Sequence, residues 1–315
     1  MRICFSMIPQ VDFIGGGGSK VATNFANFLI KNGIQVEVGL DIRNMPDLIF
    51  MFDPRPLSHA KNWLTLSHIR ELQDKYNMSV PIVHRINDTD KHSGRPPNFV
   101  ESVTELANRS KKVIYVSDWV KQHYKNIETP SATIHNGVNK DVFNIKPYVP
   151  AEKLKLVTHH WSTNIMKGWD YYKKIDEWLD KNPDVQFTII GRKPAGLEFK
   201  NAIFIPAKTR KELVLELQKS NVYITASKYE ACGNHYIEGV SCGLPLLFHE
   251  DGGGVWDMKE YGLSFSSIET LFSQVEKFKQ ENVRKKFYDK IVKSFDFYEE
   301  NVYKNYLEVI YEVIG

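Results

Sequence analysis

Residues 223–254, YITASKYEACGNHYIEGVSCGLPLLFHEDGGG, constrain the fold of this chain more than any other stretch. Val222-Tyr223-Ile224 is a short apolar run of the kind that forms a buried strand. A polar turn follows and ends in Glu230. Gly233-Asn234 then opens a helix with Tyr236, Ile237 and Val240 on its apolar side, and Gly243 and Pro245 stop it. Leu246-Leu247-Phe248 is the next strand. Two carboxylates eight residues apart, Glu230 and Glu238, therefore sit on a loop after a strand and in the early turns of the helix it feeds.

This arrangement suits a sugar nucleotide. The N–H groups of Gly233, Asn234 and His235 at a helix N-terminus form an anion site for a diphosphate. Glu238, about a turn inside, is placed to accept hydrogen bonds from both hydroxyls of a ribose. Glu230, at the loop tip, is placed to reach the hydroxyls of a transferred sugar. Gly233 has no side chain, which lets a phosphate approach the backbone. A plain capping box would put Glu or Gln three residues after the cap. With Asn234 as cap that position holds Ile237, so a purely structural reading fits poorly.

The pattern Glu230, Gly233, Glu238, Gly243, Pro245 and then Gly252-Gly253 resembles the donor-site signature of retaining glycosyltransferases of family four, which have the GT-B fold. The resemblance implies an α/β fold of two doubly wound Rossmann-like domains facing each other across a cleft. It also implies a C-terminal helix that crosses back to the first domain.

The rest of the chain follows that order. Residues 2–8 read as a strand, Gly15 to Gly18 as a loop, and SKVATNFANFLIKNG as a helix ended by Asn32-Gly33. Ile34, Val36 and Val38 alternate as a second strand, which completes a βαβ unit. The four glycines have neither GxGxxG spacing nor a P-loop ending, so a dinucleotide or ATP site is poorly supported. Further strands are expected at 47–52, 80–86, 112–116 and 131–134, with helices at 58–76, 98–109 and 117–126. Alternation of this kind implies a parallel sheet covered on both faces. His135-Asn136-Gly137-Val138 with Phe143 resembles the family's domain ending, and Pro147 and Pro150 mark a linker. The first domain is thus expected over 1–148, joined by the helix 298–315, and the donor-binding domain over 149–297.

With 42% hydrophobic and 25% charged residues the composition is that of a soluble globular protein. No apolar run approaches the ~18 residues of a membrane span, and the N-terminus reads as a strand rather than a signal peptide. Cys4, Cys232 and Cys242 are too few for a disulfide framework and point to a reducing, cytoplasmic compartment. The net charge of +3 does not call for nucleic acid. Its basic excess lies in the first half, which suits an acidic acceptor or peripheral contact with a membrane.

Transfer from a nucleotide sugar needs charge stabilisation at the departing diphosphate. Lys167 of Met166-Lys167-Gly168 matches the family's lysine-glycine step at that diphosphate. The family's arginine five residues earlier is replaced by Ser162, and Arg192 at the tip of the next strand is the substitute cation. By the same resemblance His84 ends a first-domain strand and faces the donor sugar, and Gly17 and Gly18 of the glycine loop face a phosphate. His84, Lys167 and Glu230 are the expected catalytic residues. Gly17, Gly18, Lys167, Arg192, Glu230, Gly233, Asn234, His235 and Glu238 are expected to hold the donor.

The resemblance implies no metal and no cofactor beyond the nucleotide-diphosphate sugar, retention of configuration, and a glycan, lipid-linked or small-molecule acceptor. Asp88-Thr89-Asp90 matches the Asp-x-Asp metal motif of the other glycosyltransferase architecture, but the donor signature lies in the other half of the chain. Two other enzyme classes share the architecture, inverting transferases and nucleotide-sugar epimerases; a non-catalytic binder of nucleotide sugars or glycans is an alternative of a different class.

Overall fold

The computed structural model describes residues 1–9, 17–41, 43–53, 63–91 and 95–315. They form two compact units, Met1–Asn136 with Glu300–Gly315, and Gly137–Glu299. Gly15, Gly16, Pro54, Pro56, His92 and the start of the helix expected at 58–76 lie outside the described residues.

The first unit contains β1 (Arg2–Phe5), α1 (Gly17–Lys31), β2 (Gln35–Glu37), β3 (Leu48–Met51), α2 (Leu66–Arg70) running into a π-helical turn, β4 (Ile82–Ile86), α3 (Phe99–Asn108), β5 (Lys112–Tyr115), α4 (Asp118–His123) and β6 (Ser131–Thr133). The strands make one six-stranded sheet in the order β2-β1-β3-β4-β5-β6, parallel throughout. The second contains β7 (Leu154–His160), α5 (Trp169–Leu179), β8 (Val185–Gly191), β9 (Ile203–Pro206), α6 (Arg210–Leu217), β10 (Val222–Thr225), α7 (Asn234–Ser241), β11 (Leu246–His249), β12 (Gly262–Phe265), α8 (Ile268–Lys279) and α9 (Glu281–Ser294). Its six strands run β12-β11-β10-β7-β8-β9, again all parallel. The last helix, α10 (Glu299–Ile314), belongs almost wholly to the first unit.

Strands buried on both faces need continuous apolar runs, and β3, β4, β10 and β11 are buried at every position. One face of the first sheet packs Phe5, Phe50 and Phe52 against Phe25 of α1 and Tyr303 and Tyr306 of α10. The Phe25 and Tyr306 rings meet edge to face at 5.2 Å. Burial of each such side chain contributes about 1.5–3 kcal/mol, so the return of the C-terminal helix follows from its aromatic stripe. Arg85 fastens it further, with Nε donating to Tyr306 Oη at 2.8 Å and Nη2 to Asn136 Oδ1 at 2.6 Å. In the second unit one apolar layer is built around Tyr223, Tyr236 and Ile237, and the other around Trp169, Tyr172 and Phe278. Among the described residues no helix is long and apolar enough to cross a membrane.

Two expectations change. Gly17 and Gly18 are in the first turn of α1 rather than in a loop. His84 is the third residue of β4, paired with Met51 and Val113, not a strand-end residue. Its ring is 1% exposed, and burial pushes its pKa down to about 3.

Candidate functional site

The site is assembled at the C-terminal ends of β7 and β10, where parallel α/β sheets place their ligand loops. After β7 the Asn164 side chain accepts from the Met166 N–H at 2.9 Å and winds Ile165–Lys167 into a 3₁₀ turn. Gly168 follows with φ +77°, and a Cβ there would fall 2.3 Å from the Ala226 carbonyl oxygen. Only glycine permits both the left-handed backbone and this contact. The Lys228 N–H then donates to the Met166 carbonyl at 2.8 Å. These contacts bring the Lys167 ammonium to 2.6 Å from Glu230 Oε1.

The Glu230 backbone is clamped from its other side. Its N–H donates to Gly252 O at 3.3 Å, and its carbonyl accepts from Gly254 N at 2.8 Å. Between them Gly253 has φ +78°, and a Cβ would meet Glu230 O at 2.5 Å. Tyr229, just before Glu230, has φ +53°. A non-glycine residue there stores strain, a feature concentrated at functional sites. The Gly252-Gly253 pair thus positions Glu230 through main-chain contact.

From Glu230 an unbroken chain of hydrogen bonds runs to Glu238. Glu230 Oε2 lies 2.8 Å from His235 Nε2, and His235 Nδ1 lies 3.0 Å from Tyr223 Oη. The same hydroxyl lies 3.1 Å from His159 Nδ1, and His159 Nε2 lies 2.8 Å from Glu238 Oε2. Burial pushes the Glu230 carboxyl up, but Lys167 and His235 outweigh it and hold the group well below the usual carboxylate range. Burial lowers His235 and, further, His160. His160 Nε2 rests on Tyr172 Oη at 2.7 Å. Burial also raises the Tyr223 hydroxyl well above its ordinary value, so it stays protonated.

Of the expected donor residues, Lys167, Glu230, Gly233, His235 and Glu238 come together here. Gly233 is the N-cap of α7, and Asn234 its first residue. The space beside Gly233 is filled by the chain itself, since a Cβ would meet Tyr236, Glu230 and His235 side chains at 2.7–3.0 Å. Crowding by its own neighbours therefore accounts for that glycine. Arg192 is exposed and its guanidinium lies 4.3 Å above the Trp161 ring, rather than in the Lys167–Glu230 cluster. Ser162 accepts from Asn164 N at 3.2 Å. Gly17, Gly18 and His84 belong to the first unit.

Sequence reasoning took Tyr223 only as part of a buried strand, and read His159-His160-Trp161 as a strand end from which one of the two histidines could line a cleft. A tyrosine beginning a buried strand, and a histidine at the end of a neighbouring one, were the signal, because each buried polar tip needs a partner.

Asp88 is paired with Arg95, and no group of three metal-ligating side chains occurs among the described residues. All three cysteines are free thiols.

No protein-family model matches the chain, and no curated protein matches it. Solved structures do. Sucrose-phosphate synthase from Thermosynechococcus elongatus is similar with a TM-score of 0.69 at 12% identity, over 99% of this chain and 98% of that one. WaaG, a glycosyltransferase involved in lipopolysaccharide biosynthesis, gives 0.65 at 12% identity over 98% and 99%. A chain described as trehalose-6-phosphate from E. coli bound with UDP-2-fluoro glucose gives 0.67 at 9% identity over 98% of each. Similarity over the whole length at such low identity shows the fold: two doubly wound, parallel α/β units of the GT-B type.

Proposed function

We propose that this chain is a glycosyltransferase that moves a sugar from a nucleoside-diphosphate sugar to a glycan, lipid-linked or small-molecule acceptor. The observation that carries the reading is the Lys167–Glu230–His235 cluster, linked to Glu238, at the strand ends of the second unit of a GT-B fold. In this reading Lys167 holds the diphosphate and stabilises its growing charge. Arg192, the cation at the end of β8, assists in place of the arginine replaced by Ser162. Gly233, Asn234 and His235 supply N–H groups at the start of α7. Glu238 takes the ribose and Glu230 the transferred sugar, as in retaining enzymes of family four. Catalysis proceeds with retention and without a metal ion. Three free cysteines suit a cytoplasmic compartment, with peripheral membrane contact where the acceptor is lipid-linked.

The test is incubation of the whole chain with single nucleotide sugars and an acceptor panel, with and without a chelator. Chelator-resistant nucleotide release that depends on acceptor, with an axial or equatorial product matching the donor, supports the reading. Tight donor binding without turnover on any acceptor identifies a non-catalytic binder instead.

A further inference from the structure

Tyr223 Oη stands between two imidazoles and has one hydrogen to give. It already accepts from the His159 backbone N–H at 3.2 Å. His235 Nδ1 is 3.0 Å away and His159 Nδ1 3.1 Å. On their far sides both rings point Nε2 at a carboxylate oxygen, each at 2.8 Å. If both carboxyls are ionised and both rings neutral, each Nε2 carries the hydrogen and each Nδ1 needs a donor. One hydroxyl cannot serve two acceptors, and a buried nitrogen facing an oxygen with no hydrogen between them is costly.

We infer that Tyr223 is a positioning residue that gives its hydrogen to His235, and that the His159–Glu238 pair holds one additional proton, with His159 protonated at Nδ1. Two neighbours place the proton on that side. Glu230 already receives Lys167 at 2.6 Å, and a second cation on His235 would crowd positive charge onto one carboxylate. Burial also lowers the proton affinity of His235. Facing His159 are His235 and His160, whose rings approach each other to 4.8 Å, besides Tyr223 and Glu238. Facing Glu238 are His159, Tyr223 and the Cys242 thiol, itself raised to about 12 by burial and then by Glu238. Gly239 makes the arrangement fit, since a Cβ there would overlap the Tyr223 ring at 2.3 Å.

The consequence for a ligand rests on the donor-site reading. With the additional proton the cluster has no net negative charge. A diphosphate then meets Lys167 without repulsion from an excess carboxylate.

The experiment uses the whole unliganded chain, labelled with ¹⁵N, so its outcome is independent of any donor. Imidazole spectra are recorded at about pH 8, above the ordinary histidine value of ~6.5, and assigned with His159→Gln and His235→Gln. The expected result is His235 protonated only at Nε2, and His159 carrying hydrogen at Nδ1. In Tyr223→Phe the Nδ1 hydrogen of His159 is lost at the same pH. A His159 ring without hydrogen at Nδ1 in the natural chain overturns the proposal, as does an Nδ1 hydrogen on His235 instead. A Tyr223→Phe protein that folds and keeps the His159 signal overturns the positioning role. If that variant does not fold, the natural chain's spectrum decides.

Discussion

Lys167 Nζ lies 2.6 Å from Glu230 Oε1, although the two are 63 residues apart in the chain. The contact depends on Gly168 against Ala226 on one side and Gly253 against Glu230 on the other. It joins the cation proposed for the diphosphate to the carboxylate proposed for the sugar. In the proposed reading, donor binding shares Lys167 between Glu230 and phosphate, and the predictions below follow from that reading.

Lys167→Ala is expected to slow turnover by about 100- to 1,000-fold, because a phosphate gains negative charge as the glycosidic bond breaks. It also leaves Glu230 with one fewer partner in a site where both side chains are under a fifth exposed. A loss of roughly 1–3 kcal/mol in stability is expected by denaturant titration, below the range for a fully buried pair. Arg192→Ala is expected to slow turnover as well. Silence of Arg192→Ala with a gain in Ser162→Arg would mean that Lys167 acts alone.

Glu238→Ala is expected to weaken binding of the free nucleoside diphosphate by about 1.5–3 kcal/mol for each charge-assisted hydrogen bond lost. Calorimetry at fixed salt measures it. Unchanged affinity in a folded variant removes Glu238 from the ligand and leaves it a structural partner of His159.

His84 makes a pH prediction. Its folded pKa, about 3, lies below the ordinary histidine value. The unfolded chain therefore binds a proton that the folded chain refuses, and stability falls as pH drops below ~6.5. The His84 contribution is about 1.4 kcal/mol per pH unit over that window. Urea unfolding of His84→Leu between pH 6 and 4 should show a slope shallower by that amount. An unchanged slope would mean that the ring is already protonated in the folded chain.

Gly253→Ala is expected to cost about 1–3 kcal/mol in backbone strain, and more where the new Cβ presses on Glu230. The φ of +78° and the 2.5 Å approach to Glu230 O are the cause. Because Glu230 must move, nucleotide-sugar affinity should fall as well. A stable variant with natural affinity would show that the Gly252-Gly253 clamp is not what positions Glu230.

The βα alternation was legible because strands such as β3 are continuous apolar runs and helices such as α1 and α7 have their own stop signals. Asn32-Gly33 ends α1 with Gly33 at φ +76°; the spacing of Val302, Tyr303, Tyr306, Leu307 and Ile310 marked α10 as a helix, and its place in the first unit was what the family resemblance implied. Glu230 and Glu238 were legible from their spacing to glycines and proline. His84 was expected at the end of a strand read as Val80–Ile86; the strand is Ile82–Ile86, and Arg85 and Ile86 still follow His84 in it. The Tyr223 hub was not legible, since periodicity marks a tyrosine in a buried strand as core. Its function depends on pairing with residues from β7 and α7, which sequence distance does not reveal.

The central claim is that the second unit binds a nucleoside-diphosphate sugar through the Lys167–Glu230–His235 cluster and Glu238. Its most direct test is thermal and chemical unfolding of the whole chain against a panel of nucleoside diphosphates and their sugars, with Glu238→Ala alongside. At least one nucleotide at 100 times its Kd should stabilise the natural chain by about 2.7 kcal/mol, with a clearly smaller effect in Glu238→Ala. Stabilisation by no member of the panel, or equal stabilisation of both proteins, would contradict the account.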